Sequence, residues 1–301
     1  MDLRQLSYVV AVVDEGGFTR AAKAMHVAQP SLSQAVRALE AELGVALFHR
    51  TSRAVVLTAA GEALLEPARQ TLRDASTTRA AVAAVAGLVA GHLDLVCLPT
   101  LAVHPAARLI GAFRRAHGRV TVRVVEPEDA AAIVDRVRIA SSEIGITELT
   151  AATTDLVTHP LETQEYVALI SAELLATAAQ QGRITIERLA EQPLITTPPG
   201  TSSRRLIDEA LAARGLTAAV AVETDHREAI GPLVSAGAGI AVLPRRVAEA
   251  GARDGLAIAT ISPPIVRQIG LLHRDGPLSP AARGFLSIAL ADPESTARPA
   301  E

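Results

Sequence analysis

Residues Phe18–Leu43, FTRAAKAMHVAQPSLSQAVRALEAEL, decide the fold of the N-terminal part of this 301-residue chain. Pro30 suits the first turn of a helix, where its missing N–H costs nothing. The helix that follows has an apolar stripe at helical spacing, formed by Leu32, Val36, Leu39 and Leu43. Its opposite face carries Ser33, Gln34 and Arg37. One face therefore suits anchoring to a small core, and the other suits contact with base edges in the major groove of DNA.

Two helices are predicted before this one. The first has an apolar residue every three or four positions, at Leu3, Leu6, Val9, Val10 and Val13. Gly16 and Gly17 end it. We expect Thr19 to cap the second helix and the small side chains of Ala21 and Ala22 to face inward, since steeply crossing helices need close backbone approach. Three short helices in this order are typical of a small DNA-binding domain, although any three-helix domain shows similar stripes.

Five motifs then follow one another within about sixty positions. They are Phe18-Thr-x-Ala-Ala22, Gln29-Pro30-Ser-Leu-Ser33, Val36-x-x-Leu39-Glu40, Leu43-Gly44-x-x-Leu47-Phe48-x-Arg50 and Val56-Leu57-Thr58-x-x-Gly61. Together they resemble the N-terminal domain of LysR-type transcriptional regulators, with Gly17 in place of the family's more usual serine. The resemblance implies a winged helix-turn-helix in residues 1–58, with a β-wing at residues 47–57.

The resemblance also implies which side chains face DNA. The expected DNA-binding residues are Thr19, Lys23, Gln29, Pro30, Ser31, Ser33, Gln34, Arg37, Arg50 and Arg53. The chain as a whole has a net charge of −3, which does not indicate a nucleic-acid partner. Between Arg20 and Arg53, however, five basic residues stand against two acidic ones, which is a modest positive patch. Taken alone, such a patch is more often a solvated surface.

A long helix is predicted over residues 59–89. Its apolar seam alternates spacings of three and four, at Leu65, Ala68, Leu72, Ala75, Val82, Ala86 and Val89. We expect Pro67 to kink it. A lone helix of this length has nothing to bury its seam against, so the seam predicts a partner chain. In the family this helix is the dimer linker, which implies a homodimer, and family behaviour suggests a dimer of dimers.

Residues 90–292 alternate short apolar strands with helices, a rhythm that predicts an α/β fold with mainly parallel strands. Strands are expected at 93–98, 120–125, 144–146, 166–170, 194–195, 220–223, 240–243 and 266–272. We interpret the region as two lobes, 91–165 with 268–292 and 166–267, followed by a tail at 293–301. This arrangement resembles the LysR-type effector domain, a relative of periplasmic binding proteins, through Gly91-x-Leu-x-Leu, Pro193-Leu-Ile and Gly237-x-Gly-Ile-x-Val-Leu-Pro244.

Ligands of open α/β sheets bind where strand ends meet helix N-termini. Three such turns are expected to converge, and they are rich in hydroxyl groups and backbone N–H groups that suit an anion. The expected effector-binding residues are Pro99, Thr100, Leu101, Thr147, Thr197, Pro198, Thr201, Ser202 and His226. The alternative is that these threonines and serines only cap helices.

Other functions find little support in the residues. The single cysteine, Cys97, excludes a disulfide within the chain and fits a reducing cytoplasm, and no signal peptide or membrane span is evident. The eight histidines lack paired ligand spacing, and we expect no metal, no cofactor and no catalysis. Two hypotheses remain. One is a regulator that binds promoter DNA and a small anionic effector and contacts RNA polymerase. The other is a two-lobed solute-binding protein or enzyme with a structural helical N-terminus.

Overall fold

The computed structural model describes residues 1–50, 55–85, 91–150, 153–179, 181–252 and 255–292. Arg53, Ala86, Val89 and the predicted tail lie outside the described residues. The chain divides into two compact units. One consists of Met1–Gly91 with the short segments Ile139–Ser141 and Pro277–Ala281, and the other contains the rest.

The N-terminal unit contains three short helices, a two-stranded hairpin and one long helix. Its elements are α1 (Leu3–Asp14), α2 (Phe18–Ala24), α3 (Gln29–Leu43), β1 (Phe48–Arg50), β2 (Val55–Leu57) and α4 (Ala59–Val85). The strands β1 and β2 pair antiparallel, with Phe48 opposite Leu57. The region predicted as a β-wing therefore forms a hairpin.

Local side-chain chemistry sets the helix ends. Asp2 and Gln5 form a capping box at the start of α1, and Gly44 ends α3 in the left-handed conformation. The expectation that Thr19 caps α2 was wrong. Gly16 turns the chain with a positive φ, Gly17 takes the cap position, and Thr19 is already a helical residue with an exposed side chain.

One apolar core joins the three short helices, and the long helix shares it. Leu6, Val9, Ala21, Leu32, Val36 and Leu39 are buried in it. Leu43, predicted to belong to the same stripe, is 39% exposed because the last turn of α3 extends beyond the core. The seam of α4 also differs from the prediction. Ala68 is buried in this core and Leu72 packs against it, so these two seam residues have partners within their own chain.

Hydrogen bonds fix the hairpin and the start of α4 to the helices. The Glu40 carboxylate accepts from the backbone N–H of Leu47 at 2.8 Å. The Thr58 hydroxyl donates to the Ala46 carbonyl at 2.6 Å and accepts from the Gly61 N–H at 3.1 Å. The motif residues Glu40, Thr58 and Gly61 therefore position the hairpin beside α3.

The second unit alternates strands and helices. Its elements are β3 (Gly91–Cys97), α5 (Pro99–Leu101), a π-helical turn (Ala102–Ala106), α6 (Ala107–Ala116), β4 (Val120–Val125), α7 (Ala130–Arg138), β5 (Ile144–Glu148), β6 (Val157–Ser171), α8 (Ala172–Ala178), β7 (Arg183–Thr185), α9 (Ile186–Ala190), β8 (Leu194–Thr196), α10 (Ser202–Ala212), β9 (Val220–Glu223), a 3-10 turn (Arg227–Ala229), α11 (Ile230–Ser235), β10 (Ile240–Pro244), α12 (Arg245–Gly251), β11 (Leu256–His273) and α13 (Pro280–Ala291).

Nine strands in the described part of this unit form one mixed sheet. Eight have the order β4-β3-β5-β11-β6-β10-β8-β9, and β7 pairs with β11. The strands β6 and β11 run antiparallel along most of their length, from Leu256 opposite Ser171 to His273 opposite Val157. Both are far longer than the predicted strands 166–170 and 266–272. Each continues through the part of the sheet that contains β5 and through the part that contains β10.

Apolar layers cover the sheet on both sides where β6, β8 and β10 lie. Ile170, Ile207 and Ile240 belong to one buried cluster, and Leu169, Ile195 and Ala241 belong to another. The side chains alternate between faces along each strand, which separates the two clusters. Within the described ranges, no helix is both long enough and apolar enough to span a membrane.

Gly61 should tolerate no side chain. A Cβ built there would collide with the Leu47 carbonyl oxygen and lie 2.7 Å from Leu57 Cδ2. We expect Gly61→Ala to lower the free energy of unfolding by about 1–3 kcal/mol, measured by urea titration of the full chain. Gly111→Ala is the matched control, since its Cβ would meet only Arg115 Nη1 at 3.6 Å and alanine favours the helix by roughly 0.5–1 kcal/mol. Equal stability of the Gly61→Ala variant and the parent protein would contradict the proposed collision.

Candidate DNA-binding surface and effector cavity

The helix α3 presents two different faces. Leu32, Val36 and Leu39 are at most 1% exposed. On the other side, Gln34 and Arg37 are exposed and Ser33 is partly exposed. A polar face of this kind, carried on a helix anchored by its apolar side, can reach base edges without disturbing the core.

The start of α3 is also accessible. Gln29, Pro30 and Ser31 are exposed, and no side chain of the described residues caps this helix. Uncapped backbone N–H groups and the helix dipole favour an anion such as a DNA phosphate at this end. Lys23 and Thr19 on α2 are exposed as well. Of the two predicted wing arginines, Arg50 ends β1, with its side chain outside the described part, and Arg53 lies outside the described residues.

A cavity of about 300 Å³ opens in the second unit. Most of its wall is apolar and comes from β6, β8, β10, α10, α11 and α12. The apolar lining includes Leu169, Ile195, Ile207, Ile230, Val242, Leu243 and Val247. Thr100 and Val103, which follow β3, complete the lining from a distant part of the sequence. A mainly apolar wall with a few polar groups is typical of small-molecule sites.

Two of the predicted effector residues, Thr100 and Thr197, line this cavity. The remaining ones do not: Pro99, Leu101, Thr147, Pro198, Thr201, Ser202 and His226. Three turns were expected to converge, yet the turn containing Thr147 contributes nothing to the lining, although Thr147 is fully buried. The His226 side chain is 86% exposed, and its neighbour Arg227 lines the cavity instead.

Two hydroxyl groups of the expected site have other hydrogen-bond partners. The Thr201 hydroxyl lies 2.6 Å from that of Thr197 and accepts from the Arg204 N–H at 3.3 Å, as a helix cap does. Ser202 Oγ accepts from the Ala130 N–H at 3.2 Å, and the Ser202 N–H donates to the Glu128 carbonyl at 3.0 Å. Ser202 thereby connects the start of α10 to the start of α7.

Thr196 and Ser203, at the two ends of the predicted hydroxyl-rich turn, also line the cavity, whereas sequence reasoning missed most of the apolar wall. Ser203 Oγ lies 3.4 Å from the hydroxyl of Tyr166, which is fully buried. Burial raises the pKa of the Tyr166 hydroxyl, although Arg267 opposes the shift, so the group stays protonated at neutral pH. The only advance signal for Ser203 was its place in the hydroxyl-rich turn after β8.

Cys97 ends β3 and is completely buried. Burial, reinforced by the Glu126 carboxylate, raises the pKa of its thiol to about 12. Since the thiolate is the reactive form, this environment disfavours oxidation.

A winged helix-turn-helix combined with an α/β ligand domain defines a transcription regulator controlled by a small molecule. The family model described as "Bacterial regulatory helix-turn-helix protein, lysR family" matches residues 3–62, and "LysR substrate binding domain" matches residues 86–293. The chain therefore belongs to the LysR family of transcriptional regulators, with a DNA-binding domain and an effector-binding domain.

Relatives and solved structures agree with this assignment. The chain is 28% identical over 295 residues to the nitrogen assimilation regulatory protein nac of Klebsiella aerogenes, covering 96% of this chain and 94% of the relative. A full-length OxyR of Pseudomonas aeruginosa has the same fold, with a TM-score of 0.76, 24% identity and 99% coverage of both chains. CbnR complexed with its target DNA superposes with a TM-score of 0.67 and 24% identity, covering 96% of this chain and 99% of CbnR.

The environment of Cys97 leads to a prediction about its reactivity. With a pKa of about 12, roughly one thiol in 10⁴ is ionised at pH 8, and the side chain is buried. We expect modification by a thiol reagent at pH 8 to be at least about a hundredfold slower in the native protein than in denaturant. The denatured sample is the control, since it exposes the same thiol. Stoichiometric labelling of the native protein at a similar rate would show that Cys97 is accessible.

Proposed function

We propose that this regulator reads promoter DNA with the exposed face of α3 and responds to a small anionic effector bound in the cavity of its second unit. The two different faces of α3 are the main support for this proposal. Leu32, Val36 and Leu39 are buried and fix the helix, while Gln34 and Arg37 remain exposed. The solved CbnR complex, in which a protein of the same fold is bound to its target DNA, supports a duplex as the partner.

We further propose that the protein acts as a homodimer through residues 59–89 and assembles as a dimer of dimers. The part of α4 beyond the N-terminal core supports this, since Val82 is apolar and 70% exposed. A second copy of the helix would cover such a residue. Paired DNA-binding domains would read a site with matching two-fold symmetry in the cytoplasm, in contact with RNA polymerase.

The effector would act by closing two lobes, residues 91–165 with 268–292 and residues 166–267. Glu128 and Ala130 belong to the first lobe, and Ser202 and Arg227 belong to the second. Besides the two hydrogen bonds of Ser202, Arg227 Nη1 donates to Glu128 Oε1 at 2.7 Å. A ligand that contacts both lobes would favour this closed arrangement and so change the population of regulatory states.

DNA reading by α3 can be tested at Arg37. We expect Arg37→Ala to weaken specific DNA binding by about 1–3 kcal/mol and to relax the preference at one base position, because an arginine recognises guanine with two hydrogen bonds. Genomic fragments selected with the purified protein would supply the operator, and footprinting would measure the loss. Arg188→Ala is the control, since Arg188 is exposed on α9 and pairs with the neighbouring Glu191 at 2.7 Å. Unchanged footprints for Arg37→Ala would remove this residue from the reading face.

The cavity can be tested with Thr100→Val, which keeps the side-chain shape but removes the hydroxyl that lines it. We expect a metabolite that raises the melting temperature of the parent protein to bind this variant about fivefold more weakly, since one hydrogen bond contributes about 1 kcal/mol. The combination with Ser202→Ala should abolish the response in a reporter assay without unfolding the protein. Thr121→Val, an exposed position on β4, is the matched control. Equal thermal shifts in all variants would place the site elsewhere.

A further inference from the structure

A buried arginine, Arg267, lies at the centre of a polar cluster between the two long strands. It is 5% exposed and lies opposite Gln164 in the pairing of β11 with β6. Its Nη2 donates to Gln164 Oε1 at 2.6 Å and to Thr100 Oγ1 at 2.9 Å, and its Nε donates to Gln164 Oε1 at 2.9 Å. The guanidinium carbon is 5.3 Å from the centroid of the Tyr166 ring. All of these partners are neutral.

The charge of Arg267 lacks a carboxylate partner among the residues that the structure describes. Other partly buried arginines differ in this respect. Arg204 pairs with Asp208 at 2.8 Å, and Arg245 pairs with Glu165 at 2.8 Å. An arginine keeps its charge at neutral pH, and a buried charge without a counter-ion is costly. An anion bound next to Arg267 would therefore stabilise its buried charge.

Two N–H donors in the cluster are buried and unused. Arg267 Nη1 and Gln164 Nε2 make no hydrogen bond within the described ranges of the chain. Both groups can only donate, so the ligand atom that satisfies them must be an acceptor. An anionic oxygen would supply the missing charge and the missing acceptor together.

The cluster adjoins the effector cavity through two side chains. Thr100 lines the cavity and accepts a hydrogen bond from Arg267. Tyr166 packs against Arg267, and its hydroxyl lies 3.4 Å from Ser203 Oγ, which also lines the cavity. The nearby acid Glu148 is occupied by an ion pair with Arg205.

The two charged side chains that line the cavity are stabilised in other ways, one by an ion pair and one by solvent. Arg227 pairs with Glu128, and Glu228 is exposed to solvent. The rest of the wall is mainly apolar. The uncompensated positive charge of Arg267 therefore lies directly behind Thr100, next to the cavity, and the cavity supplies an apolar volume for the remainder of a ligand.

We propose that Arg267 is the anchor for the carboxylate of an effector that has one negative charge and an apolar body. This inference rests on the proposed effector function of the cavity. One arginine matches the single charge and planar oxygens of a carboxylate. A phosphate dianion would carry a second charge into a mainly apolar site with only one unpaired cation beside it, so the geometry favours a monocarboxylate.

The test compares two carboxylates with their neutral amides on the full-length protein. The probes are hexanoate and 3-phenylpropanoate, with hexanamide and 3-phenylpropanamide as the uncharged counterparts, and calorimetric titration gives each Kd. We expect at least one carboxylate to bind the parent protein about tenfold or more tightly than its amide. Failure of both carboxylates to bind, or equal binding of the amides, would overturn the proposal.

Two variants separate the charge of Arg267 from its shape. In Arg267→Gln the preference for carboxylate over amide should disappear, whereas Arg267→Lys should keep the preference with weaker binding. Arg188→Gln, at an exposed arginine outside the cavity, should leave every Kd unchanged. Should the glutamine variant fail to fold, the lysine variant still decides the matter, because loss of its carboxylate preference would contradict a role based on charge.

DNA binding of the same samples distinguishes this proposal from the regulator assignment. Without probes, the Arg267→Gln variant should shift operator DNA as the parent does and melt at the same or a higher temperature, since an uncompensated buried charge has been removed. A parent protein that binds no DNA would count against the proposed function. Intact DNA binding, together with an unchanged carboxylate preference in Arg267→Gln, would count against Arg267 alone.

Discussion

The antiparallel pairing of β6 with β11 is the constraint on which the rest of the effector domain depends. Along one edge β11 pairs with β5, and along the other β6 pairs with β10. All the other strands of the sheet join through these two, including β7, which pairs with β11. Because the strands pass through both parts of the sheet, their register decides which side chains from distant segments meet at its centre.

That register brings polar groups into an interior built almost entirely from aliphatic side chains. Aromatic residues make up only 2% of the chain, and most of the buried apolar residues are leucine, isoleucine and valine. Arg267 and Gln164 lie directly opposite each other and share a face with Tyr166, two pairs further on. Burying a charge in an aliphatic interior lowers the stability of the fold. Such a loss of stability is common where a protein binds a ligand.

The sequence predicted best what depends on neighbouring residues. The DNA-binding unit has local contacts, so the spacing of Leu32, Val36 and Leu39 was enough to identify the buried face of α3. The wrong prediction in this unit was also a local one. Gly16 and Gly17 set the start of α2, so Thr19 lies inside the helix and does not cap it. For the α4 seam, periodicity shows an apolar face but not which surface covers it, and Ala68 and Leu72 are covered by the chain's own core.

The cavity was harder to predict because its wall comes from segments far apart in the chain. Thr100 and Thr197 could be expected from the rule that ligands bind at strand ends. Apolar residues such as Ile195 and Val242, by contrast, look like any other buried strand residues until the fold brings them together. Nothing in the sequence around Arg267 indicated that its side chain would be buried. In the sequence it lies between Val266 and Gln268, which are both exposed, and only strand pairing places its side chain in the interior.

The same geometry gives a physical reason for coupling between ligand and closure. The cavity takes Thr100 and Val103 from one proposed lobe and its other lining residues from the second. A ligand could therefore contact Thr100 and the apolar wall at the same time only when both sets of residues are together. Its affinity would then differ between open and closed arrangements, and a difference in affinity is what allows a ligand to shift a conformational equilibrium. The charge and the contacts between lobes contribute differently in this scheme. The charge of Arg267 sets the class of ligand, and simultaneous contact with both lobes sets how strongly binding favours closure.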